Sequence, residues 1–173
     1  MSELNDRIVP VTRKRLRARP SVPTWTEMLA NSIDSASLEE RAAAVRALIA
    51  AGPRPEDGAL LARIAREEEG DLRLLAFRSL IAQRYPEGRD IFSEAVRSGS
   101  DAERSLAIDG LARLGAFEAL TEAFSDRVEP LAAKAALLYS AAHDRRTLLE
   151  ALDERVEPTR RDAILKLLVG VLE

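Results

Sequence analysis

Few side chains in this chain could do chemistry, and their spacing excludes more than it supports. There is one histidine, His143, and no cysteine. Without cysteine there is no disulfide, no thiolate metal site and no thiol nucleophile. A single histidine rules out, within one chain, a zinc site built on two or more histidines and a histidine pair working as acid and base. The adjacent pair His143-Asp144 would need further histidines to hold a catalytic metal. Glu67-Glu68-Glu69 with Asp71 offers carboxylates to a cation or a basic partner. Consecutive glutamates at a helix end point in different directions, so they suit a solvated terminus better than one metal site. No nucleophile–base pair, glycine-rich phosphate loop or carboxylate motif emerges. No catalytic residue is assigned, and no cofactor or metal is implied.

Charge is placed unevenly. Net charge is −3, too small for a global pull towards nucleic acid. Yet residues 1–23 hold six basic groups (Arg7, Arg13, Lys14, Arg15, Arg17, Arg19) against Glu3 and Asp6, a local balance of +4. Arg13, Lys14, Arg15, Arg17 and Arg19 are candidate contacts for phosphate, acidic lipid or an acidic protein. The segment holds no aromatic for base stacking, which disfavours nucleic acid.

These groups must be positioned by helices. Hydrophobic residues make up 46% and charged residues 32%, enough for a core with a solvated surface, and aromatics are only 4%. The abundance of Ala and Leu favours helix over strand. Pro10, Pro20 and Pro23 interrupt residues 1–23, which are read as an arm; residues 24–173 form the body. Thr24-Trp25-Thr26-Glu27, Ser37-Leu38-Glu39-Glu40 and Ser100-Asp101-Ala102-Glu103 have the form of capping boxes. Pro130 and Pro158 suit first helical turns. The expected helices are 24–34, 37–51, 55–68, 71–84, 88–98, 101–114, 116–125, 129–142, 145–154 and 158–172, which is five antiparallel pairs joined by short links.

The second helices of these pairs repeat a pattern. An Arg position (Arg41, Arg73, Arg104, Ala132, Arg160) is followed three residues later by Ala44, Ala76, Ala107, Ala135 and Ala163. Next come Val45, Phe77, Ile108, Ala136 and Ile164, and three further on Leu48, Leu80, Leu111, Tyr139 and Leu167. The copies are 32, 31, 28 and 28 residues apart, the signature of stacked hairpins. The Ala admits a close neighbour, and the two bulky positions share one helical face that a single hairpin cannot bury alone.

These residues resemble HEAT repeats, in particular the short HEAT-like repeats of phycobilisome-lyase type. The match is carried by Asp71-Leu72-Arg73 with Ala76 and Leu80, and by Asp101-Ala102-Glu103-Arg104 with Ala107 and Leu111, within residues 37–172. Glu40 and Glu103 stand where the family has an apolar residue, and Ala132 replaces the Arg in the fourth copy. The resemblance implies an all-α, right-handed α-α superhelix, a HEAT-like solenoid of about five helical hairpins. It also implies that Asp71, Arg73, Arg104 and Arg160 brace adjacent repeats, and that a protein partner binds the concave face lined by the second helices.

The functional expectation is therefore a non-catalytic protein-interaction module or adaptor. Arg46 and Arg78 hold equivalent positions in the first two copies and Asp109 holds it in the third, which would place a charged strip on the partner-binding face. Two alternatives follow from the resemblance: a bilin lyase-like protein handling a tetrapyrrole, and a DNA-binding HEAT-like protein, which the acidic body disfavours. The last helix, with Ile164, Leu165, Leu167, Leu168, Val169, Val171 and Leu172, is apolar round much of its circumference. It is expected to be covered by a second copy, a partner or the arm. His143 is expected in an exposed loop, Trp25 at the open end of the core, and Tyr139 in the core. No apolar run is long enough to cross a membrane and no signal-peptide core stands at the N-terminus, so the expected location is the cytoplasm.

Overall fold

Ser100 shows how local sequence starts a helix in this protein. In the computed structural model, which describes residues 27–28, 31–32, 34, 37–51, 54 and 57–172, the Ser100 hydroxyl accepts from Glu103 N at 3.4 Å and the Glu103 carboxylate accepts from Ser100 N at 2.7 Å. Both halves of the capping box are formed, and they satisfy donors that the first helical turn leaves without partners. Ser37 likewise accepts from Glu40 N, and Asp144 from Thr147 N at 2.8 Å. Thr24 and Trp25, and with them most of the expected helix 24–34, lie outside the described residues.

The described residues form α1 (Leu38–Ala50), α2 (Asp57–Glu67), α3 (Gly70–Gln83), α4 (Gly88–Ser98), α5 (Asp101–Arg113), α6 (Phe117–Leu120), a 3₁₀ turn (Thr121–Ser125), α7 (Glu129–Ser140), α8 (Arg145–Arg155) and α9 (Pro158–Leu172). There is no strand among them. Two helices end on left-handed residues. Arg84 (φ 55°) follows α3, and its neighbour Tyr85 N donates back to Leu80 O at 3.0 Å; Gly115 (φ 67°) follows α5, and Ala116 N donates to Leu111 O at 2.9 Å.

The helices pack in two rows, with most of them also packed on the next helix in sequence. One row runs α1, α3, α5, α7, α9; the other runs α2, α4, the 3₁₀ turn, α8. The repeated positions explain the first row. Ala44, Ala76, Ala107 and Ala135 are buried, as are Val45, Phe77, Ile108, Ala136 and Ile164, and Leu48, Leu80, Leu111 and Tyr139. Between the rows Phe77 meets Phe92 edge to face at 5.3 Å, and Phe124 meets Tyr139 in the same way at 5.5 Å.

Two expectations need correction. The segment 116–125 is not one helix but a single α-turn followed by a 3₁₀ turn. There the Thr121 hydroxyl donates to Glu118 O at 2.7 Å, a side-chain bond that competes with regular helical geometry. In the fifth copy Leu167 is 40% exposed and Leu168 is buried in its stead. The Ala of that copy, Ala163, is only half-buried. α9 has no following helix among the described residues, so nothing holds it to the register of the inner copies.

Candidate partner-binding groove

Helices α2 and α4 are strongly one-sided, with apolar residues on the face that meets the other row. Helices α3, α5 and α7 are not: besides their buried core residues they carry Ile81, Ala82, Leu106, Ala112 and Leu138, half-buried or exposed, on a second side. That second apolar side lines a groove of about 590 Å³ running over α3, α5 and α7. Ile81, Leu106, Leu138 and Phe117 supply its apolar surface, all half-buried. Arg78, Asp109 and Arg113 supply its charge.

Lys134 of α7 fixes one wall. Its ammonium donates to Asp109 Oδ2 at 2.7 Å and to Ser105 O and Oγ, each at 2.9 Å, tying α7 to α5. Asp109 is thereby neutralised locally. Arg78 and Arg113 are exposed, with no acceptor among the described residues.

Of the sequence-derived partner contacts, Arg78 and Asp109 come together in this groove. Arg46 is exposed on α1 and does not line it. Arg13, Lys14, Arg15, Arg17 and Arg19 lie outside the described residues. Leu106, Arg113, Phe117 and Leu138 were missed, because the repeat pattern tracks only the core-facing side of each helix. The signal that could have found them is Ile81, Ala82, Ala112 and Ala141, apolar residues three or four positions beyond Arg78, Asp109 and Leu137. They make the outward face of the row too apolar for plain solvent exposure.

The residues expected to brace adjacent repeats, Asp71, Arg73, Arg104 and Arg160, do not line the groove. Arg73 Nε lies 3.1 Å from Glu103 Oε1, joining α3 to α5, and its guanidinium stands 5.5 Å from the Phe77 ring centroid. Arg41 pairs with Glu68 at 2.7 Å. Arg104 is buried and donates to Asp126, Asp101 and Gly99 O. The hydrogen bond to Asp126 holds the Arg104 guanidinium above its ordinary pKa against the opposing effect of burial. Arg160 donates to Ser125 O at 3.3 Å. Asp71 is exposed in the first turn of α3.

His143 is half-buried, with its ring stacked on Tyr139 at 4.0 Å and edge-on to Phe117 at 4.9 Å. It is an aromatic packing partner and not the exposed loop residue expected. Among the described residues, no three histidine or carboxylate side chains converge as a metal site, and no helix is long and apolar enough to cross a membrane.

No protein-family model matches the chain, and no curated protein or solved structure shows significant similarity to it.

Proposed function

We propose that this protein is a non-catalytic protein-binding module, a short HEAT-like solenoid whose row α1, α3, α5, α7, α9 lines the concave side of a right-handed superhelix. The observation that carries this reading is the second apolar side of α3, α5 and α7. Beyond the buried repeat residues, Ile81, Leu106, Leu138 and Phe117 pack against the core on one side and keep part of their apolar surface open in the groove. Apolar surface gathered between charged side chains is how a binding site differs from ordinary surface. Helices held on both flanks present such side chains already ordered, which lowers the entropic cost of binding.

Photo-crosslinking in the native host tests the reading. A benzophenone amino acid at Ala82 or Ala142, both exposed in the groove, is expected to capture the same protein. The same label at Glu94, exposed on α4, is expected to capture none. Absence of adducts from both groove positions, or an equal yield from Glu94, overturns it.

A further inference from the structure

We propose that the occupant of the groove is an acidic amphipathic helix of another protein, its apolar stripe seated on Leu106, Leu138 and Phe117 and its carboxylates facing Arg78 and Arg113. This rests on the protein-binding reading and names the partner's chemistry.

Charge is the first argument. Among the described residues one carboxylate lines the groove, that of Asp109, and it is taken by Lys134 at 2.7 Å. The groove therefore offers two guanidiniums with no acceptor among the described residues, beside an apolar floor. Arginine presents a planar fork that carboxylates match in pairs, so an acidic ligand gains orientation as well as attraction. A basic ligand would meet like charge at both residues. That also excludes the chain's own arm, since Arg13, Lys14, Arg15, Arg17 and Arg19 carry the same sign.

Backbone chemistry is the second argument. Strand addition, in which a ligand's N–H and C=O groups pair with a free sheet edge, has no platform among the described residues, which form no strand. A helix satisfies its own backbone and delivers apolar side chains at i, i+3, i+4 and i+7 to a cleft between helices.

The test uses the full chain and three fluorescent peptides of about 15 residues, long enough to become helical. One carries leucine at i, i+3, i+4 and i+7 with glutamate beside the stripe. The second replaces each glutamate by lysine. The third keeps the glutamates and replaces each leucine by serine. Fluorescence anisotropy is expected to show salt-sensitive binding of the first peptide, with the other two at least about tenfold weaker. The double variant Arg78→Glu, Arg113→Glu should weaken the first peptide at least about tenfold and bind the lysine peptide better, with helicity and unfolding midpoint unchanged.

Equal binding of the lysine peptide, or an unaffected double variant, overturns the proposal. So does self-association in sedimentation that the double variant abolishes, because the occupant is then a second copy. If groove crosslinking captures a partner through a neutral or basic segment, the acidic-helix proposal falls and the protein-binding reading stands. If crosslinking captures nothing and none of the peptides binds, both fall together.

Discussion

Arg104 Nε donates to Asp126 Oδ2 at 2.7 Å, a second guanidinium nitrogen reaches Asp126 Oδ1 at 3.3 Å, and both residues are buried. The pair joins the N-terminal end of α5 to the loop before α7, where Asp126 also accepts from Val128 N at 2.8 Å. Removing one member leaves a buried charge without its partner. Arg104→Ala should cost about 3–5 kcal/mol of stability. Arg104→Lys should rescue little of it, because an ammonium cannot reproduce the fork. Urea unfolding followed by circular dichroism gives both values; a loss below about 1 kcal/mol for Arg104→Ala would show the pair to be no more than a surface contact.

Gly110 lies inside α5, where alanine would normally stabilise a helix by up to about 1 kcal/mol. A Cβ at this position would stand 2.5 Å from two ring carbons of Phe92, which is fully buried against Phe77. Gly110→Ala is therefore expected to destabilise by roughly 1–3 kcal/mol, and Phe92→Leu in that background should cost less than it does alone. A thermal-melt double-mutant cycle reads the coupling.

Two helix starts contribute acid sensitivity. At Glu103 burial alone would raise the carboxyl pKa, but hydrogen bonds from Ser100 and the nearby Arg73 bring it below the ordinary value. Asp144 is lowered chiefly by the Thr147 backbone N–H. A lowered folded-state pKa means that the stabilisation is complete above the unfolded carboxylate pKa, near 4. It is lost as pH falls through the folded value. Unfolding free energy measured between neutral pH and about 3 should fall with acid, and less steeply in Glu103→Gln or Asp144→Asn. Ser100→Ala should remove about 1 kcal/mol at neutral pH through loss of the cap.

The fifth copy gives a clean contrast between neighbours. Leu168 is buried and Leu167 is 40% exposed, so Leu168→Ala should cost roughly 2–4 kcal/mol and Leu167→Ala under about 1. Reversed costs, read by chemical denaturation, would return α9 to the register of the inner copies.

Much of the helix plan was legible from local signals. Ser37, Ser100 and Asp144 sit immediately before helices, and Gly115 and Pro130 mark an end and a start, because capping and turn chemistry depend on residues only three or four apart. The core residues of the inner copies were legible too, since Ala76, Phe77 and Leu80 share a face by helical spacing alone. The 3₁₀ turn after Leu120 was not, because it depends on how Thr121 bonds once the chain is packed. His143 read as an exposed loop residue because nothing in its immediate sequence announces the stack on Tyr139 and Phe117.

Sequence by itself determined that the chain is helical, where most helices begin and end, and which side of each inner helix is buried. Those properties follow from hydrogen bonds and side-chain spacing within one or two helical turns. Tertiary structure alone decided that Lys134 would pair with Asp109 and leave Arg78 and Arg113 without acceptors among the described residues, beside Leu106, Leu138 and Phe117. Those residues come from separate elements, and their electrostatic balance exists only once α3, α5 and α7 lie side by side.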